Sequence, residues 1–148
     1  MIALLPRDPA PWVIPGGEPA EELHVTIQYL SNLALYDPTQ VKAQLDALSG
    51  TYGPIEARVM SHATFNPDGG ANGDKDPCAV YGISDSPQLA ELAAVIQDAF
   101  PDPEAHRPWQ AHMTAGYGFV AGDLRAIGPI TFDRIRLAFG EEITDFPL

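Results

Sequence analysis

The sequence predicts an α+β fold of two similar lobes, on three observations. The elements run strand, strand, helix, strand and then strand, helix, strand, strand. One segment of helical periodicity falls in each half. A polar pattern, His-x-Thr-x-x-Tyr, also occurs once in each half, as HVTIQYL at 24–30 and HMTAGYG at 112–118. The 148 residues fit a single domain spanning 1–148, long enough to bury roughly two-thirds of the surface its unfolded chain exposes. Neither half is long enough to bury a core of its own, so the lobes are expected to pack closely or share a sheet, with a cleft where they meet.

Each element has a local reason. IALLP at 2–6 is a short apolar run ended by proline, and PWVIPGGEPAEE is a Pro/Gly-rich loop. LHVTIQYL alternates apolar and polar residues with β-branched side chains, as a half-buried strand does. In DPTQVKAQLDALSG, Asp37 is a candidate N-cap and Pro38 suits the first turn. Val41, Leu45 and Leu48 recur at helical spacing, and Gly50 is a stop signal, so a helix is expected over about 38–49. IEARVMSHATFNP reads as a long strand, DGGANGDKDP as a polar surface loop, and CAVYGI as a return to the sheet. SPQLAELAAVIQDAF repeats the capped, proline-started helix, with Leu89, Leu92, Ala93 and Ile96 as its apolar stripe and Pro101 as its end. AHMTAGYGF and ITFDRIRLAFG supply the final two strands.

Charge and composition exclude several function classes. With 20 acidic and 8 basic residues, the net charge of −12 opposes any partner held mainly through many phosphates, so long nucleic acid is not an expected ligand. A small phosphate-bearing molecule is compatible, because two or three local donors suffice and salt screens the distant field over about 8 Å. No apolar run approaches a membrane span, and MIALLPRDP lacks the basic leader of a secretory signal, so a cytoplasmic location is expected. The single cysteine, Cys78, is expected to be a small buried hydrophobe. There is no H-x-x-x-H, C-x-x-C, EF-hand, P-loop or nucleophile-elbow pattern, and neither a metal nor a cofactor is expected.

The repeated pattern carries the chemistry. In a strand, His24, Thr26, Gln28 and Leu30 share one face while Val25, Ile27 and Tyr29 share the other; His112 and Thr114 likewise oppose Met113, Ala115 and Tyr117. By this parity Tyr29 and Tyr117 are expected in the core. Each His lies about 6.5–7 Å from its Thr, close enough for both to touch one phosphate. Cleaving a phosphodiester without a metal needs a base, an acid, and donors to the nonbridging oxygens. Histidine fills either of the first two roles near neutral pH, with an unperturbed pKa of about 6.5. Two histidines and two threonines therefore make a sufficient set. A third match, HAT at 62–64, lacks the following tyrosine and runs into Pro67; His62 is the weakest of the three and a lesser candidate for ligand contact.

These residues resemble the 2H phosphoesterase superfamily, which includes 2′-5′ RNA ligase-like proteins and cyclic phosphodiesterases and is named for two H-x-[TS] motifs. GGEPAEELHVTIQYL and WQAHMTAGYG are similar to its compact phage and actinobacterial branch. The resemblance implies a bilobal, pseudo-symmetric fold with antiparallel sheets, one main helix per lobe and a central cleft. It also implies a metal-independent phosphodiesterase in which His24 and His112 are acid and base and Thr26 and Thr114 bind phosphate. The expected substrate is a small nucleotide: a cyclic oligonucleotide, a 2′-5′-linked oligonucleotide or a 2′,3′-cyclic phosphate, among them nucleotide immune signals that phage enzymes of this family destroy. Trp109 and Trp12 are candidates to stack on a base, Arg107 to meet a phosphate, and Gln28 to donate to substrate. The rival classes are a nucleotide-sequestering module that turns nothing over and an interaction protein whose acidic surface meets a basic partner. The doubled motif favours the enzyme over both.

Overall fold

A computed structural model describes residues 1–69, 76–84 and 86–148; most of the expected Gly/Asp-rich loop lies outside them. The elements are β1 (Ile2–Pro6), β2 (Val25–Gln28), α1 (Pro38–Thr51), β3 (Ile55–Phe65), β4 (Cys78–Ser84), α2 (Pro87–Ala99), β5 (His112–Tyr117), β6 (Gly128–Phe139) and β7 (Glu142–Pro147), with short 3₁₀ turns between some of them. The strands pair antiparallel in the order β1-β2-β5-β4-β3-β6-β7. Because β1 also pairs with β6, Ile2 with Leu137 through Pro6 with Phe132, six strands close into a ring and β7 extends it. The α+β class is as the sequence predicts, and the two halves are joined in one continuous sheet.

The helices start where their caps demand. The Asp37 carboxylate accepts from the Thr39 N–H at 2.9 Å and the Ser86 hydroxyl from the Leu89 N–H at 3.1 Å, each with proline in the first turn. α1 lays Val41 and Leu45 against β6 and β7, and α2 lays Leu89, Leu92, Ala93 and Ile96 against β2 and β3. Gly50 does not stop α1. It lies in open space inside the helix, which ends at Thr51 with Tyr52 as cap, just before Gly53-Pro54. Central β1 is buried on both faces, which is why IALLP is apolar throughout.

β7 is the element the sequence reading lacks. It follows β6 through the two-residue turn Gly140-Glu141, with Gly140 at φ +64°, a hairpin loop led by a glycine that tolerates positive φ. Its acidic start and terminal proline hide the strand pattern. The bidentate pair between the Arg136 guanidinium and the Asp145 carboxylate, at 2.7 and 2.9 Å, and the contact of Lys42 with Glu142 hold it in place. Among the described residues, no helix is long and apolar enough to cross a membrane.

Candidate active site

The two motif strands are neighbours: β2 and β5 run antiparallel with Val25 opposite Met113, both fully buried. Continuing that register one residue either way sets His24 across from Thr114 and Thr26 across from His112. The four polar side chains thus form a square on the open face, with Val25 and Met113 anchoring its centre from behind. Directly opposed strand residues have Cβ atoms about 4.5–5.5 Å apart and diagonal ones lie about 7–8 Å apart. The histidines occupy one diagonal and the threonines the other. Exchanging the strands exchanges the motifs.

The ring orientations repeat as well. His24 Nδ1 lies 2.7 Å from the Glu22 carbonyl and His112 Nδ1 2.8 Å from the Gln110 carbonyl, in each case two residues upstream. A carbonyl can only accept, so Nδ1 carries the proton and Nε2 keeps its lone pair free for chemistry when the ring is neutral. The Phe65 ring packs on His112 at 4.7 Å between centroids and restrains it further. The Thr26 hydroxyl donates to the Met1 sulfur at 3.4 Å, a weak acceptor that a phosphate oxygen readily displaces.

Beside this square opens a cleft of about 690 Å³, within the size range of small-molecule sites. Thr26, His112 and Thr114 line it, together with Gln28, Arg107 and Trp109. His24, one step before β2 begins, is outside that lining and is joined to the others through the strand register. The segment 100–111 forms one wall, and β2 fastens it: the Gln28 amide donates to the Phe100 carbonyl at 2.8 Å and the Trp109 indole N–H to the Thr26 carbonyl at 3.0 Å. Asp102 adds to this by accepting from the Ser31 backbone N–H at 2.7 Å and from the Ser31 hydroxyl. Trp109 and Gln28 are therefore anchored wall residues. Arg107 is exposed, donating to the His106 carbonyl and reaching Gln28 Oε1 at 3.5 Å, with the rest of its guanidinium open to the cleft.

Four placements differ from the sequence reading. Tyr29 and Tyr117 are not core residues: they are 54% and 60% exposed, and both line the cleft. β2 ends at Gln28, so strand parity no longer governs Tyr29, and Leu30 turns inward instead. In β5 the pairing with β4 skips Ala115, as Val80 faces Thr114 while Ala79 faces Gly116; this bulge reverses the parity and sends Tyr117 outward. Trp12, expected as a stacking candidate, is 4% exposed, edge-on to Tyr81, and away from the cleft; its carbonyl accepts the Tyr81 hydroxyl. His62 is also apart from the cleft, its Nε2 bonded to the Ala126 carbonyl and its ring edge-on to Tyr81.

His106, Phe65 and the two tyrosines line the cleft without being expected there from sequence. For Tyr117 a signal existed, since glycine inside a strand, here Gly116, marks a bulge. Burial pushes the Cys78 thiol up, consistent with an inert small hydrophobe, although it sits in the cleft wall opposite Tyr117.

An antiparallel ring with one helix on each half is a 2H phosphoesterase-like fold. It is shared by the crystal structure of TT0787 of Thermus thermophilus, at 15% identity and TM-score 0.57, covering 99% of this chain and 93% of that one. A crystal structure described only as a phosphoesterase matches at 16% identity and TM-score 0.51 over the same shares of the two chains. No curated protein matches the sequence. The profile of the 2′-5′ RNA ligase superfamily matches residues 14–128, most of the chain, and the protein belongs to that superfamily.

Proposed function

We propose that the protein is a metal-independent phosphodiesterase that cleaves a small nucleotide through His24 and His112. Membership of the superfamily suggests phosphoesterase or RNA ligase-like activity. The observation that carries the finer reading is the repeated tautomer: both motif histidines are held through Nδ1 to a carbonyl two residues upstream. Such a pair suits in-line displacement. One neutral imidazole takes a proton from water, or from a neighbouring ribose hydroxyl, as its oxygen bonds to phosphorus. The other, protonated, gives its proton to the departing ribose oxygen as the P–O bond breaks. With water the products are a phosphomonoester and an alcohol; with the ribose hydroxyl, a cyclic phosphate and an alcohol. The Thr26 and Thr114 hydroxyls donate to the nonbridging oxygens, where charge accumulates. The same cut would serve to destroy a nucleotide signal or to process an RNA end.

The test is turnover of cyclic nucleotides, cyclic oligonucleotides, 2′-5′ oligoadenylates and 2′,3′-cyclic phosphates in EDTA, followed by chromatography. His24→Ala and His112→Ala are each expected to lower kcat by about 10²–10⁴-fold, the worth of a positioned acid or base. The pH–rate profile is expected to be bell-shaped, because one imidazole must be neutral while the other is protonated. Activity abolished by EDTA and restored by one metal, or a profile rising monotonically to high pH, would overturn the mechanism.

A further inference from the structure

We propose that the cleft takes a phosphodiester flanked by a nucleoside on each side, with Tyr29 and Tyr117 each stacking on one of the two bases; this rests on the phosphodiesterase reading above. Each tyrosine is the fifth residue after its motif histidine, so the exchange that superposes the two His-x-Thr motifs also exchanges the tyrosines. In the antiparallel register they leave the Val25–Met113 pair in opposite directions along their strands, one beyond β2 and one at the end of β5. The polar square lies between them in register, and both line the cleft. The site therefore offers an aromatic face on either side of the phosphorus position. A 2′,3′-cyclic mononucleotide, with its one base, fills only one of these faces.

Among the described residues, no hydrogen bond ties these two side chains down. The hydroxyls of Tyr36 and Tyr81 are tied to the Pro101 and Trp12 carbonyls at 2.8 and 2.9 Å, whereas neither Tyr29 nor Tyr117 has a hydrogen bond to a described residue. Two exposed rings in one concave, partly apolar site are what a planar ligand group needs. Charge gives the second reason. Among the described residues lining the cleft, Arg107 is the only Arg or Lys, and Asp76 shares the wall in a protein of net charge −12. One described guanidinium is a small charge complement for a substrate with many phosphates. Two exposed aromatic faces beside it favour a ligand with few phosphates and two bases.

The experiment compares a 2′-5′- and a 3′-5′-linked diadenosine monophosphate with adenosine 2′,3′-cyclic phosphate, using wild type and the Ala and Phe variants at both tyrosines. Unchanged melting temperatures serve as the control for folding. Wild type is expected to cleave at least one dinucleoside substrate with kcat/KM about tenfold or more above that for the cyclic mononucleotide. Tyr29→Ala and Tyr117→Ala are each expected to raise KM for that substrate roughly ten- to a hundredfold, and Phe at either position to restore it, because the ring and not the hydroxyl stacks. Equal efficiency on the cyclic mononucleotide, or an unmoved KM in either Ala variant, overturns the proposal. If wild type cleaves neither class, the phosphodiesterase reading fails, and calorimetric binding of the dinucleoside monophosphates decides the tyrosines. Weaker binding in both Ala variants then sustains the two-base site, and affinity equal to wild type in either overturns it.

Discussion

Gly17 and Gly116 meet where the N-terminal loop crosses the bulge in β5. The Glu18 N–H donates to the Ala115 carbonyl at 2.8 Å, and a Cβ on Gly17 would run into that same oxygen. A Cβ on Gly116 would meet the Phe119 ring at 2.7 Å and the Gly17 Cα at 3.0 Å. The two glycines let one backbone lie on another, and the contact holds the bulge that turns Tyr117 into the cleft. Gly17→Ala must displace a backbone carbonyl and is expected to cost about 1–3 kcal/mol, read from denaturant unfolding. The same variant is expected to raise KM through Tyr117, whereas Gly53→Ala, with open space around its Cβ position, is expected to leave KM unmoved. At this scale the sequence showed the two His-x-Thr motifs and hid the orientation of the tyrosines. That His24, Thr26, His112 and Thr114 fall on or beside two strands was legible because their pattern is local. Tyr117 was not, because its direction depends on how β5 pairs with β4.

Among the elements, the segment 100–111 is the one whose position decides the cleft's width. It has no regular structure of its own and is held by bonds to β2 and to the turn that follows it. Asp102 is central to these: bonding from the Ser31 backbone N–H, with further bonds from Glu104 N–H, the Ser31 hydroxyl and Tyr36, holds its carboxyl below the ordinary value of 3.8. A carboxylate depressed in the folded state stabilises fully above its ordinary value, and that contribution is lost as pH falls through the lower, folded-state value. Asp102→Asn is therefore expected to lower the melting temperature at neutral pH and to converge with wild type in acid, with amide exchange in 100–111 rising before the rest of the protein opens. A uniform loss at every pH would mean that the charge is irrelevant to the latch. Both helix starts were readable from Asp37-Pro38 and Ser86-Pro87, because a cap is a few adjacent residues. Where α1 ended was not, since Gly50 is tolerated in an exposed helix at a cost of about 1 kcal/mol that the buried face of Val41 and Leu45 offsets. The partner that Trp12 packs on was equally hidden, because Tyr81 is 69 residues away.

For the molecule as a whole, the charge of −12 gives the proposed activity an unusual salt response. Basic nucleic-acid binders lose affinity steeply as salt rises, through counterion release. In the proposed site the long-range field would oppose an anionic substrate and stacking would supply the affinity. Raising salt from about 50 to about 200 mM is therefore expected to leave kcat/KM unchanged or improve it, measured on a short substrate at fixed pH. A steep fall would mean that phosphate contacts dominate after all. The α+β class followed from counting elements, but the closure of the sheet did not, because the β1–β6 pairing joins residues far apart in sequence and leaves no local trace.

That closure orders events during synthesis. One edge of β1, apolar from Ile2 to Leu5, stays without its partner until β6, Gly128–Phe139, has left the ribosome. An apolar strand edge exposed for that long is an aggregation hazard, and so distant a pairing forms slowly. Nascent chains truncated ahead of Gly128 would be expected to recruit chaperones and to be cut readily by proteases, whereas chains released after Phe139 would not.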